Sequence, residues 1–367
     1  ARMFEEIGRA YMALGHYDQA TPLLERALDI RRDIHGEQHP VVAATMNQLG
    51  FLNKEQGNYA VADSLYHHSL EIVRDTRGED HPEMAEIFNN LGVLHRVRSE
   101  YKEAEDYLRE SLNIWQEQYG REHPETANSL QNLGAVLMMQ GKYEQAEVTL
   151  KEALNLHQKL EGDNHPEVAT TLLNLGHVLK EQKRYDEAEK IYRQALVIQR
   201  KIYGDDHPKL AKTLNNLAVL LTKQDKLQKA DPLLREATEI RRRNFGEDHP
   251  EYVASLHNLA FFLQRKRDYS AADSIYQLTL EKWKELLGPT HANVAVTLNN
   301  LGSVCKAQRR YGKAEEYYRQ ALDLRREVLN ENHPAVKRSL VRLAELYERW
   351  DKPDLANAYR DTISTMN

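Results

Sequence analysis

A period of 42 residues runs the whole length of this chain and constrains its fold more than any other feature. His-Pro occurs at His39, His81, His123, His165, His207, His249 and His333, and His291 keeps the interval although Ala292 replaces its proline. A second column, Tyr-x-x-Ala, runs in step at Tyr17, Tyr59, Tyr101, Tyr143, Tyr185, Tyr269 and Tyr311, with Leu227 and Pro353 replacing tyrosine in the sixth and ninth copies. The units start near residues 1, 43, 85, 127, 169, 211, 253, 295 and 337, and eight full units with 31 residues of a ninth account for all 367 positions. The chain therefore reads as one repeat domain over 1–367, whose core grows linearly as each unit buries its apolar face on its neighbours.

Within a unit, Val168, Leu172, Leu175, Val178 and Leu179 follow three- and four-residue spacings, and so do Ile191, Ala195, Leu196 and Ile198. That periodicity predicts two amphipathic helices per unit, an all-α chain. The first helix starts at the proline, whose missing N–H does no harm at the first helical position, and a glutamate often follows (Glu83, Glu125, Glu167, Glu251) to complement the positive helix end. The second ends in basic residues, among them Arg31, Arg32, Arg200, Arg241, Arg325 and Arg326, just before glycines such as Gly36, Gly78, Gly204 and Gly246. Basic side chains suit the negative end of a helix, and glycine accepts the left-handed conformation that stops it.

Small residues recur inside the first helix at Gly50, Gly92, Gly134, Gly176, Ala218, Ala260 and Gly302. Glycine there lowers helix stability by about 1 kcal/mol relative to alanine, so its recurrence implies that a paired helix passes too close for a larger side chain. The alanines at 62, 104, 146, 188, 230, 272 and 314 are expected to supply the facing surface. A column of Leu or Tyr, from Leu24 and Tyr66 to Tyr318, is expected to pack into the next unit.

Leu175-Gly176, Leu179, Ala188, Tyr192 and Ala195 reproduce a known pattern, and the chain resembles the tetratricopeptide repeat (TPR) proteins over its full length. The 42-residue unit ending in G-x-x-H-P is similar to the kinesin light chain type. The resemblance implies a right-handed superhelical solenoid of about nine helix-turn-helix repeats, with first helices lining a concave groove. Asn53 and His95 depart from the pattern at the Leu179 site, and the ninth unit carries Arg342, Pro353 and Arg360 where others have Asn, Tyr and Leu or Tyr. That unit reads as a polar terminal cap.

Carried onto matching positions, the resemblance puts Asn90, Asn132, Asn174, Asn216, Asn258 and Asn300 in one column along the groove. Asn89, Asn215 and Asn299 stand in the column one residue earlier, with Asn47, Gln131, Leu173 and His257. Asparagine is a poor helix-interior residue, so six in one column need a reason. A primary amide offers an acceptor and two donors, which matches the C=O and N–H of an extended peptide. About three peptide residues would span each unit. An alternative reading has these amides bond to the neighbouring helix. The same carry-over places Arg96, Lys180, Lys212, Lys223, Arg265 and Lys306 in the groove, and Met138 among its apolar patches.

Charge gives the expected ligand a sign. Residues 1–124 hold 13 Lys and Arg against 22 Asp and Glu, and residues 125–367 hold 37 against 34, so an acidic peptide should prefer the later units.

Other chemistries lack support in the sequence. The recurring histidines stand about a helix-packing distance apart, on the order of 10 Å, too far to share an ion, and read as caps or loop packing. Cys305, the single cysteine, falls at the apolar Leu179 position and reads as core. No phosphate-binding loop, nucleophile elbow or zinc-protease motif occurs, and the net charge of -6 offers no continuous cationic column for nucleic acid. No apolar run approaches the roughly 18 residues of a membrane helix. The sequence thus predicts a cytoplasmic, non-enzymatic adaptor without cofactor or metal that binds a protein or peptide partner, and neither nucleic acid nor membrane. The alternative is a regulatory or sensor module excised from a larger signalling enzyme (kinase, NTPase or protease), since Ala1 already falls on a repeat position. A self-associating scaffold is the third.

Overall fold

A computed structural model describes residues 1–13, 15–331 and 333–366. Among these residues there are eighteen α-helices, arranged as successive pairs, and no strand. The first helices of the pairs are α1 (Arg2–Ala13), α3 (Pro40–Glu55), α5 (Pro82–Val97), α7 (Pro124–Met139), α9 (Pro166–Glu181), α11 (Pro208–Lys223), α13 (Pro250–Arg265), α15 (Ala292–Ala307) and α17 (Pro334–Arg349). Their partners are α2 (Tyr17–His35), α4 (Tyr59–Arg77), α6 (Tyr101–Tyr119), α8 (Tyr143–Glu161), α10 (Tyr185–Tyr203), α12 (Leu227–Phe245), α14 (Tyr269–Leu287), α16 (Tyr311–Val328) and α18 (Pro353–Ser364). The helices form two compact units, residues 1–198 and 199–367. In the first, α3, α5, α7 and α9 contact one another in turn, and in the second α11, α13 and α15 do so.

Each first helix from α3 to α17 begins where the His-Pro column sets it. The histidine has extended backbone, and its Nδ1 accepts a hydrogen bond from the backbone N–H two residues on, at 3.3 Å from Val41 to His39 and 3.1 Å from Glu251 to His249. Histidine thus does the work usually given to Ser, Asp or Asn at a helix start, satisfying one orphan donor. At His39, His123, His207 and His249 the ring is steadied by stacking on the aromatic residue four positions earlier, with centroids 4.5 Å apart for Tyr203 and His207 and 4.4 Å for Phe245 and His249. Each second helix from α2 to α8, and again α12 and α14, stops at a left-handed glycine such as Gly78 (φ 92°) or Gly246 (φ 83°).

The small residue of the first helix meets the Leu/Tyr column of its own pair, and Tyr318 of that column also stands near Arg342 of the next unit. A methyl group on Gly176 would stand 2.6 Å from the Tyr192 ring, one on Gly50 2.6 Å from Tyr66, and one on Gly302 2.6 Å from Tyr318. Tyr66, Tyr192, Tyr276 and Tyr318 are fully buried, as are the alanines of the Tyr-x-x-Ala column. Successive pairs are joined differently. Arg31, Arg241 and Arg325, expected to serve the ends of their own helices, reach the next first helix instead: Arg241 donates to Ser255 at 2.6 Å, Arg325 to the Ala335 carbonyl at 3.2 Å, and Arg31 to Thr45. Cys305 is buried in the core, as its position implied, and Met138 also lies in the core and lines no groove. In the terminal α18 only Ala356 is fully enclosed, which fits its reading as a polar cap.

Gly176→Ala should destabilise the chain by about 1–3 kcal/mol, because the added methyl overlaps an enclosed ring. A urea midpoint unchanged from wild type would show that the two helices can separate freely there.

Candidate functional site

The asparagine column lies on the first helices, and most of its members are already engaged. Asn90 Nδ2 donates to Asn47 Oδ1 at 2.9 Å, Asn132 to Asn89 at 2.9 Å, and Asn258 to Asn215 at 2.8 Å. Asn300 Nδ2 lies 3.1 Å from His257 Nε2. Each bond spans 43 residues, from one first helix to the residue before the equivalent asparagine on the previous one. The amides at 90, 132, 258 and 300 therefore tie neighbouring first helices together, as the alternative reading of the sequence holds.

Asn174 and Asn216 differ. Neither side chain makes a hydrogen bond among the described residues, and both residues are partly exposed. The residue 43 positions before Asn174 is Gln131, but its amide is turned to Thr171 and to Glu167, the latter at 2.8 Å. The residue 43 positions before Asn216 is Leu173, which has no amide to offer. Asn299 shows the complementary gap. Its Nδ2 donates to the Ala295 carbonyl at 2.8 Å while its buried Oδ1 is left without a partner, and the residue 43 positions later is Arg342 instead of asparagine.

The predicted cations also divide. Lys212 and Lys223 are exposed and unpaired among the described residues. Arg265 stands 3.6 Å from Asp225, Lys306 3.1 Å from Glu345, and Lys180 2.9 Å from Glu181. Arg96 is partly buried with its Nε unpartnered, and burial lowers its pKa. In residues 199–367, Arg265 and Lys306 line one concavity of about 720 Å³ together with Lys266, Arg267, Arg349 and Asp225. The sequence reading missed the last four: Lys266, Arg267 and Asp225 fall in turns outside the groove positions carried over, and Arg349 shares the Lys223 and Arg265 column but belongs to the ninth unit, which read as a cap. No group of three or more His, Cys, Asp or Glu suited to a metal occurs among the described residues, and no helix there is long and apolar enough to cross a membrane.

A family model described as tetratricopeptide repeat matches in eight overlapping segments, residues 1–75, 44–114, 83–159, 130–196, 167–243, 210–261, 251–327 and 304–359. No curated protein matches. Among solved structures, the apo quorum sensor NprR from B. thuringiensis is similar over 100% of this chain and 98% of its own, with a TM-score of 0.73 and 15% identity. A signal transduction ATPase with a tetratricopeptide repeat sensor from Pyrococcus horikoshii is similar over 95% of this chain and 52% of its own (TM-score 0.65, 15% identity). BtubC (BKLC) from P. vanneervenii is similar over 64% of this chain and 94% of its own, with a TM-score of 0.54 and 24% identity. At these identities the likeness concerns the fold.

His257 gives the asparagine column a pH dependence. Burial lowers its pKa from 6.5 to about 4, and its Nε2 can accept from Asn300 only while unprotonated. The folded state thus binds fewer protons than the unfolded chain, so this contribution is complete above pH 6.5 and is lost progressively as pH falls toward 4. The loss should reach roughly 3 kcal/mol at its limit. Urea midpoints of wild type and His257→Gln, compared at neutral and acidic pH, check this; parallel acid losses in both would refute it.

Proposed function

The chain belongs to the tetratricopeptide repeat family, and from that premise we propose that it is a non-enzymatic adaptor whose first-helix face holds an extended, acidic peptide of a partner protein. The observation that carries this reading is the division within the asparagine column. Four amides are consumed by bonds between helices, whereas Asn174 and Asn216, on the same face of equivalent helices, have no protein partner among the described residues. A partly exposed carboxamide without a partner can give N–H to a peptide carbonyl and take N–H from the peptide in return. Such contacts read backbone and leave side-chain choice to the neighbours.

Around Asn216 those neighbours are cationic. Lys212 and Lys223 lie on the same helix, α11, and are unpaired among the described residues, while Arg265 and Lys306 follow on α13 and α15. Such side chains favour Asp or Glu in the ligand, and their exposure makes the attraction sensitive to salt. Arg96 and Lys180 take the same role in residues 1–198 in this reading. The engaged members Asn89, Asn90 and Asn132 shape that face in residues 1–198, and Asn215, Asn258, Asn299 and Asn300 shape it in residues 199–367.

The test uses degenerate fluorescent peptides of about 12 residues, the length that covers four units at about three residues each. An Asp/Glu-rich pool should bind and a Lys/Arg-rich pool should not, with affinity falling as salt rises. Asn216→Ala should weaken binding by about 2- to 12-fold at an unchanged urea midpoint, whereas Asn258→Ala should lower stability by about 1 kcal/mol. Equal anisotropy for both pools, or an Asn216→Ala chain that binds as wild type does, would count against the groove.

A further inference from the structure

The concavity in residues 199–367 has more positive charge than its own carboxylates balance. Five cations line it: Arg265, Lys266 and Arg267 at the end of α13 and its turn, Lys306 on α15 and Arg349 at the end of α17. Three have carboxylate partners, with Arg265 at 3.6 Å from Asp225, Lys266 at 3.3 Å from Asp231 and Lys306 at 3.1 Å from Glu345. Arg267 and Arg349 are exposed and have no partner among the described residues. Two unbalanced guanidinium groups thus face a single concavity.

Arg267 is held there by unusual backbone. Its φ is 66°, in the left-handed region, at the turn position where earlier units have Gly15, Gly57 and Gly141 at φ of 75°, 82° and 77°. Ser99, Lys183, Asp225, Arg309 and Asp351 share this conformation, so the strain alone marks no site. Arg267 is the cation of that set that lines the concavity, and it is carried on backbone that glycine would adopt more easily.

We propose that this concavity is a subsite for a phosphoryl group on the bound peptide, so that phosphorylation of the partner strengthens its capture. A side-chain carboxylate carries one negative charge and would balance one of the two free arginines. A phosphorylated serine, threonine or tyrosine carries about −1.5 to −2 at neutral pH and presents three acceptor oxygens, which matches two guanidinium forks. A peptide fits better than a free anion, because Arg265 and Lys306 belong both to this concavity and to the proposed peptide face. The inference rests on that peptide reading and adds its regulation.

The test compares two fluorescent peptide pools of about 12 residues, the length set by four units, degenerate except for a central phosphoserine in one and serine in the other. The phosphoserine pool should bind the full chain about tenfold more tightly. In the double variant Arg267→Gly, Arg349→Gln that preference should vanish while the melting temperature holds or rises, because glycine relieves the left-handed turn. Equal binding of both pools by wild type, or an undiminished preference in the variant, overturns the phosphoryl subsite. If serine peptides lose affinity only in Asn216→Ala, the groove reading survives that failure. If Asn216→Ala leaves the affinity of both pools as in wild type while the phosphoserine preference persists, the groove reading fails and the subsite stands. Binding of a labelled oligouridylate through the same two arginines, with the phosphoserine pool unbound, overturns the proposal in favour of nucleic acid.

Discussion

The close approach of the two helices in each pair, set by a small residue against a Leu or Tyr side chain, is the contact on which the rest of the structure depends. At Gly50, Gly176 and Gly302 a tyrosine ring occupies the volume that a Cβ would need, and Gly92 and Gly134 are covered by Leu108 and Leu150 in the same way. A glycine inside a helix is unfavourable by about 1 kcal/mol relative to alanine, and the enclosed aromatic or aliphatic surface offsets it. With the pair geometry set, the arginines at 31, 241 and 325 can reach the following first helix, and the first helices come close enough to exchange side-chain amides.

The inter-helix amide bonds explain how one column can serve stability and still leave room for recognition. A donor and acceptor pair that closes between neighbours adds about 1 kcal/mol and takes both groups out of play for a ligand. Where the acceptor is turned elsewhere, as at Gln131 opposite Asn174, or where the residue 43 positions earlier has no amide, as for Asn216, the same residue type stays unpartnered. The function proposed for the chain follows from these interruptions in the repeat and not from the repeat itself. The cationic concavity at the ends of α13, α15 and α17 uses columns that also hold cations in other units, such as Lys180 at the Lys306 site and Arg309 at the Arg267 site, and what sets it apart is that five such side chains line one concavity.

Much of this was legible before any coordinates. The His-Pro column marked the start of eight first helices, because a proline at the first helical position is tolerated there and a histidine before it can cap; the left-handed glycines marked the ends. The core position of Cys305 followed from its register with Leu179. The arginines at the ends of second helices were expected to serve those ends, yet Arg241 reaches 14 residues forward to Ser255, and the contact of Gly176 with Tyr192 across the pair was not foreseen. Met138 was placed on the groove by its column, but its side chain is enclosed.

By itself the sequence determined the period, the helix boundaries and the family, because caps, turns and apolar spacing act within a few residues and repeat identically in each copy. Only the tertiary structure decided which asparagines are consumed and which arginines stand unbalanced. Whether Gln131 turns to Asn174 or to Thr171 and Glu167, and whether a carboxylate stands within reach of Arg267 or Arg349, depends on side chains that meet across helices. Those contacts are set by packing in three dimensions, and the 42-residue pattern carries no record of them.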